Sequence, residues 1–346
     1  MDELKQRRGN VIADDEIHIA CAPDHRYVMP TGVMMISLCE NNRSEKEIAF
    51  HIVSADLSEE DKSQLTSIAD KYGRHITFYT VNNEQFADFQ TGTKYPISIC
   101  YRLFLGTILP EHITKVIYLD GDIIVKDSLR PMWETDMEGT AIAAGPDNSN
   151  NDCSAINRLR YAPSLGYFCS GSLLINLSYW REHNVESEFI AYAREQGSKL
   201  QHYCDQDILN YVFRERKKQL HIRYNLMSNF LRRPEHRTGL SWEYDEQIAE
   251  AIAHPCIIHY AIPLKPWYVE CDHPLRGYWL HYKALSPWAD QPLQHKVPRK
   301  MRTYMAIRDF FIRIFAVLGI FHPVPPVREW AIEDITTRST QIISNE

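Results

Sequence analysis

From residue 17 to residue 119 the chain alternates short, unbroken apolar runs with longer helix-like ones, and few folds accept that order. The runs at 17–22, 47–54, 75–81 and 116–119 have the length and content of strands. The stretches at 28–39, 58–72 and 97–108 read as helices. The second of these opens with Ser58-Glu59-Glu60-Asp61, which has the form of a capping box, and sets Leu65, Ile68 and Ala69 on one face. The alternation predicts an α/β chain: a parallel sheet with helices on both faces. Beyond residue 122 the pattern is less regular. Strands are expected at 140–144, 168–177 and 256–261, and helices at 177–196 and 205–216. The polar and aromatic stretch 223–240 reads as a loop or lid. At 346 residues the chain is one large domain or one domain with an appendage, and 44% hydrophobic residues suffice for a substantial core.

The fourth run carries the most chemistry. It ends in Tyr118-Leu119-Asp120-Gly121-Asp122, and Ile123-Ile124-Val125 follows directly. Open α/β sheets bind ligands at the carboxyl ends of their strands. Two hard oxygen ligands at such a point suit Mg²⁺ or Mn²⁺ held beside a phosphate. Alone, the same residues also describe a strand closed by an Asp-Gly turn. The chain contains no Gly-x-Gly-x-x-Gly and no Gly-x-x-x-x-Gly-Lys-[Ser/Thr]. Phosphate binding, if present, must therefore run through a metal rather than through a glycine-rich loop.

A net charge of −7 argues against a general polyanion-binding role, so no nucleic acid partner is expected. The eight cysteines form no Cys-x-x-Cys pair; Cys21, Cys100, Cys169 and Cys256 sit in apolar runs, as small core residues do. This predicts neither a disulfide framework nor a zinc centre and fits a reducing cytoplasm. Residues 1–10 are polar and charged, which predicts no secretory leader, and no apolar run approaches the ~20 residues needed to span a bilayer.

Several separated stretches agree with the Asp-Gly-Asp segment. They are Ala22-Pro23-Asp24-His25-Arg26-Tyr27, Tyr101-Arg102-Leu103, Ser170-Gly171-Ser172-Leu173-Leu174-Ile175-Asn176-Leu177, Asp205-Gln206-Asp207-Ile208-Leu209-Asn210, and His259-Tyr260 followed by Lys265-Pro266-Trp267. In order and spacing they resemble glycosyltransferase family 8, which includes bacterial lipopolysaccharide galactosyl- and glucosyltransferases and glycogenin. The resemblance covers roughly residues 16–283, leaving a polar extension at 1–15 and a tail at 284–346. It implies a GT-A fold, a Rossmann-like, mostly parallel mixed sheet. It also implies a UDP-sugar donor (UDP-galactose or UDP-glucose), Mn²⁺ or Mg²⁺ as cofactor, and transfer with retention at the anomeric carbon. The acceptor would be a glycan or lipid-linked saccharide.

On the same basis Asp120, Asp122 and His259 would be the metal ligands. Ala22 and Asp24 at the first strand end would hold uracil and ribose, with Tyr27 near the uracil. Arg102 would meet the donor's diphosphate or sugar, and Lys265 the diphosphate. Asp147, Ser170, Asp205 and Gln206 map to the sugar pocket. Two positions depart from the family pattern. Cys169 replaces an asparagine that hydrogen-bonds the donor sugar, and Ile262 replaces a glycine that lets backbone approach the phosphate. For retention, front-face attack is favoured, with a diphosphate oxygen taking the acceptor proton; a covalent route would use Gln206 or Asp207. Two rival readings stay open. One is a non-catalytic nucleotide-sugar-binding protein with a degenerate site. The other is a UDP-sugar nucleotidyltransferase, although 22–31 lacks the glycine-rich loop such an enzyme would show.

The tail adds one expectation. Residues 296–313 hold six basic residues (Lys296, Arg299, Lys300, Arg302, Arg308, Arg313) against one acid, Asp309. On a helix, Arg302, Asp309 and Arg313 share one side, and Ile307, Phe310, Phe311, Ile314 and Leu318 the other, until Pro323, Pro325 and Pro326 end it. Such a helix suits the surface of an anionic membrane, which would make the protein peripheral on the inner face of the cytoplasmic membrane; it equally suits core packing or a dimer contact.

Overall fold

The computed structural model describes residues 16–45, 47–89, 95–147, 158–197, 204–233, 237, 244–317 and 330. The four early apolar runs are strands: β1 (Ile17–Cys21), β2 (Ile48–Ser54), β3 (His75–Thr80) and β4 (Lys115–Leu119). They lie parallel in the order β3-β2-β1-β4. β1 and β2 are buried along their whole length, which is why they read as unbroken apolar segments. Alternate side chains enter two cores. Ile17, Ile19 and Cys21 join helix α1 (Val28–Asn41) in one, while Ala20 of β1 and Val116 and Tyr118 of β4 join the other. Helix α2 (Glu59–Lys71) starts at a complete capping box, with Ser58 accepting from the Asp61 N–H and Asp61 accepting from the Ser58 N–H.

The remaining strands are β5 (Ile123–Val125), β6 (Ile142–Pro146), β7 (Phe168–Asn176), β8 (Lys217–Gln219), β9 (Leu226–Met227) and β10 (Ile257–His259). The large sheet continues β4-β7-β6-β8. β7 runs antiparallel to both of its neighbours, so the sheet is mixed but mostly parallel. A second sheet, β5-β10-β9, begins just past Asp122. In it Ile123 of β5 pairs with His259, and Met227 of β9 pairs with His259 from the other side. The pairing carries a residue from late in the chain to the carboxyl end of β4.

The second core is closed by α3 (Leu177–Glu182), α4 (Val185–Gln196) and α5 (Cys204–Val212), through residues such as Trp180, Phe189 and Ile208. The expected single helix over 177–196 is two, broken at Asn184, whose φ of 48° and ψ of 45° are the left-handed conformation that asparagine tolerates. The segment 97–108 begins as a 3₁₀ helix, Ile97–Phe104, before one α turn. The expected loop at 223–240 is partly packed: Leu226, Met227, Phe230 and Leu231 are buried. Its residues 234–236 and 238–240 lie outside the described residues. Helices α6 (Asp245–Ala253) and α7 (Arg276–Ala284) follow.

The packed body continues past residue 283. The Trp288 ring lies so close to Gly32 that a Cβ there would approach it to 2.4 Å, and Leu293 packs on the same core. Helix α8 (Arg299–Val317) is the expected tail helix, with Met301, Tyr304, Ile307, Phe310 and Phe311 exposed. Trp330 returns to the body, where it bridges to Arg232 and packs against the His273 ring. The extension at 1–15, Leu318 and Pro323, Pro325 and Pro326 lie outside the described residues.

Candidate metal centre and donor site

Asp120 and Asp122 lie in the turn between β4 and β5, and His259 ends β10. One ligand atom from each lies within 4.8 Å of the others. Two carboxylates and an imidazole are a donor set for Mn²⁺ or Mg²⁺. The local backbone is shaped for it. Gly171 of β7 faces the triad, and a Cβ there would stand 2.5 Å from His259 Cε1 and 2.7 Å from an Asp120 carboxylate oxygen. A Cβ on Gly121 would likewise stand 2.6 Å from Thr31 Oγ1, so α1 packs directly on the Asp120–Asp122 turn. The residues present fit a divalent cation. Gly171→Ala should weaken Mn²⁺ binding by about 10-fold or more while the protein stays folded, by titration calorimetry and thermal melting; wild-type affinity in that variant would contradict the assignment.

The charges in this centre are strongly coupled. Asp122 is buried, accepts a hydrogen bond from Lys265 and lies 3.3 Å from His259 Nε2. Burial would raise its pKa, but Lys265 and His259 outweigh that and hold it well below the usual carboxylate range. Burial opposes charge on His259 too, yet the Asp122 carboxylate pushes its pKa up to about 10. Burial raises the Asp120 carboxyl, against the opposing pull of Arg102. On the far side of the ring, His259 Nδ1 lies 2.9 Å from Asn225 Oδ1 and 3.7 Å from Cys169 Sγ.

Arg102 is held by several protein partners beside the triad. Its side chain is only 5% exposed. It donates to Asp120 Oδ1 at 2.8 Å, to the Ser170 carbonyl at 2.5 Å and to the Ile99 carbonyl at 3.1 Å. It also lies 3.2 Å from Asp205 Oδ2 and over the Tyr118 ring. It is a buried cation shared by two carboxylates. Lys265 is also committed, to Asp122 and to the Tyr260 carbonyl.

The residues mapped to the sugar pocket form one network running away from Arg102. Ser170 Oγ donates to Asp205 Oδ2 at 2.9 Å, the Ser170 N–H donates to Gln206 Oε1 at 3.0 Å, and Gln206 Nε2 donates to Asp147 Oδ2 at 3.2 Å. Asp205 and Asp207 both lie in the first turn of α5, where the helix dipole favours carboxylates. Asp207, expected as a candidate nucleophile, does not fit that role. It is 1% exposed, forms a two-bond pair with Arg158 and accepts from the Tyr167 hydroxyl. Every oxygen it has is bound to a structural partner.

At the end of β1, Ala22 is half-buried and Asp24 caps the short helix His25–Tyr27. Its carboxylate accepts from the Arg26 and Tyr27 N–H groups and from the Arg26 guanidinium. Tyr27 packs edge-on against Trp267, beside the Gly121 turn. Ile262 is half-buried, with its N–H turned back to the Tyr260 carbonyl. Asn225, Arg158 and Tyr167 were not anticipated, because lone polar residues in apolar or loop-like segments carry no spacing signal.

The profile of glycosyl transferase family 8 matches residues 18–271. General stress protein A of Bacillus subtilis is 24% identical over 279 residues, covering 80% of this chain and 96% of that protein. A lipopolysaccharide 1,3-galactosyltransferase of Salmonella typhimurium is 24% identical over 302 residues, covering 86% of each chain. A lipopolysaccharide 1,2-glucosyltransferase of Escherichia coli is 26% identical, with 86% of each covered. Among solved structures, the galactosyltransferase LgtC in complex with donor and acceptor sugar analogues superposes with a TM-score of 0.68 at 27% identity, covering 83% of this chain and 99% of that one.

Proposed function

The chain belongs to glycosyl transferase family 8 and has the GT-A fold, and from that premise we propose that it moves a hexose, galactose or glucose, from a UDP-sugar to a glycan with retention of configuration. The observation that carries this reading is the convergence of Asp120, Asp122 and His259 at the carboxyl end of β4. A divalent cation held there would neutralise charge on the departing diphosphate. Lys265, paired with Asp122 in the structure, would pair with the diphosphate once that carboxylate holds a cation. Asp205, Gln206, Asp147 and Ser170 offer carboxylate, amide and hydroxyl groups to the hexose hydroxyls. Arg102 acts behind them, keeping Asp120 and Asp205 at a fixed separation. With Asp207 occupied and Gln206 an amide, front-face attack is the favoured route. The bond from the anomeric carbon to UDP breaks, the bond to the acceptor oxygen forms on the same face, and the acceptor proton passes to a diphosphate oxygen.

The test is UDP release from UDP-galactose and UDP-glucose with and without Mn²⁺. Mn²⁺-dependent release from one of them is expected. UDP binding without release from either would favour a degenerate binding protein, as Cys169 and Ile262 would suggest, and consumption of UTP would favour a nucleotidyltransferase.

The acceptor is proposed to be lipopolysaccharide or another surface glycan, as for the named relatives. No described helix is long and apolar enough to cross a membrane. The exposed apolar side chains of α8, next to the basic residues of 296–313, are proposed to rest on an anionic membrane surface, each basic residue adding roughly 1 kcal/mol there. Because Trp330 packs back onto the body, substitution tests this better than truncation. The double variant Ile307→Ser, Phe310→Ser should lose co-sedimentation with anionic liposomes and keep UDP release. Wild-type binding should also weaken with salt, since the attraction is screened within about 10 Å at 0.1 M. If wild type and variant both stay in the supernatant at low salt, α8 is a protein contact instead.

A further inference from the structure

We propose that Asn225 is a positioning residue for the cation site, its side-chain carbonyl holding His259 by Nδ1 so that Nε2 is left free to face a cation between Asp120 and Asp122. The inference rests on the reading of Asp120, Asp122 and His259 as ligands. Asn225 closes the one-turn helix Ile222–Tyr224, its N–H donating to the Ile222 carbonyl at 2.8 Å. The next residue opens β9, whose parallel pairing sets Leu226 beside Ile258 and Met227 beside His259. Strand register therefore fixes the asparagine against the imidazole. Oδ1 lies 2.9 Å from Nδ1, and both residues are buried.

A neutral imidazole carries one N–H. If that proton is on Nδ1 and is given to Asn225 Oδ1, Nε2 is left as a ligand, 3.3 Å from Asp122 Oδ1. The reversed amide, with Nδ2 donating to Nδ1, would force the proton onto Nε2 and remove the metal-binding lone pair. The amide orientation and the ligand role thus imply each other. Metal-bound histidines commonly give their second N–H to such an acceptor, which fixes ring and tautomer together.

Two further observations agree. Asn225 Nδ2 has no hydrogen-bond partner among the described residues. A buried amide with one end unpaired is destabilising, and a leucine of similar size would avoid that cost, so the other end must account for its presence. Room has also been left for it: a Cβ on Gly145 of β6 would approach Asn225 Cβ to 3.1 Å. Cys169 Sγ, at 3.7 Å from the same ring nitrogen, is the more distant and weaker acceptor.

The experiment measures Mn²⁺ affinity by electron paramagnetic resonance in the presence of UDP, with a thermal melt of each sample. The proteins are wild type, Asn225→Leu, Asn225→Asp and His259→Ala. Asn225→Leu should bind Mn²⁺ about 10- to 100-fold more weakly without a matching loss of melting temperature. Asn225→Asp, which keeps an acceptor oxygen, should restore most of the affinity. Wild-type affinity in Asn225→Leu alongside a loss in His259→Ala would overturn the proposal and leave the ligand set standing. Full affinity in His259→Ala would overturn both. If Asn225→Leu does not fold, Asn225→Ala carries the same comparison.

Discussion

Asp122→Asn is expected to abolish Mn²⁺-dependent UDP release and to lower thermal stability as well. The first effect follows from removing a ligand that the cation shares with Asp120 and His259. The second follows from what else Asp122 touches. Its carboxylate is the counter-charge for Lys265 and for the imidazole of His259. Breaking a buried ion pair from one side costs about 3–5 kcal/mol, and the lower end is expected here because His259 can shed its proton whereas Lys265 stays charged. The pH dependence carries a sign. The depressed Asp122 pKa contributes stability that is present above the ordinary carboxylate range and is lost as pH falls through its folded value. The raised His259 pKa contributes stability that is present below the ordinary imidazole range and is lost as pH rises through about 10. The gap in melting temperature between wild type and Asp122→Asn should therefore be widest near neutrality and should close in strong acid. Full Mn²⁺-dependent turnover in this variant would refute the metal assignment.

Arg102→Met is expected to have the second largest effect. The guanidinium stands between Asp120 and Asp205 and also satisfies the Ser170 and Ile99 carbonyls. Without it, two carboxylates face each other in a largely buried setting with no cation between them. A loss of about 3–5 kcal/mol in urea unfolding is expected. Turnover should drop ~10²-fold in the molecules that remain folded, because misplacing Asp120 or Asp205 by about 1 Å is that costly. Arg102→Lys should recover little, since one ammonium cannot reach four acceptors held by a planar fork. Near-normal stability and turnover in Arg102→Lys would show that only the charge matters.

The parts of the fold legible in the sequence are those with a strong local signal, whether an apolar run or a marked helix start. β1, β2 and β4 read as strands because both faces are covered, and α2 reads as a helix because Ser58 and Asp61 state its start. The second sheet was not legible beyond its late strand. β5 and β9 are three and two residues long, too short to show a period, although they bring His259 to the metal centre. The same limit applies to side-chain partners. Asp207 reads in the sequence as a possible nucleophile, and only the fold shows Arg158 and Tyr167 around it. Nothing near Arg102 in sequence announces Asp120, Asp205 and Ser170 as its neighbours. The break at Asn184 is a backbone choice that asparagine permits but does not dictate.

The reversed direction of β7 sets how the protein tolerates folding errors. Because β7 opposes β4, it begins at the edge of the sheet where β4 ends, and the Gly171 carbonyl can accept the Asp120 N–H. Run in parallel, the strand would leave Ser170 roughly 20 Å away, at the opposite edge. The alignment admits no slack. Leu119 sits opposite Ser172, and a shift of one residue would bring Ser170 or Ser172 to the place of Gly171. A side chain would then fill the space against His259 and Asp120. The same slip would turn Leu173, Leu174 and Ile175 toward the opposite cores, so the burial that holds the sheet together also enforces the register the site needs, and a misregistered molecule should be unstable as well as inert.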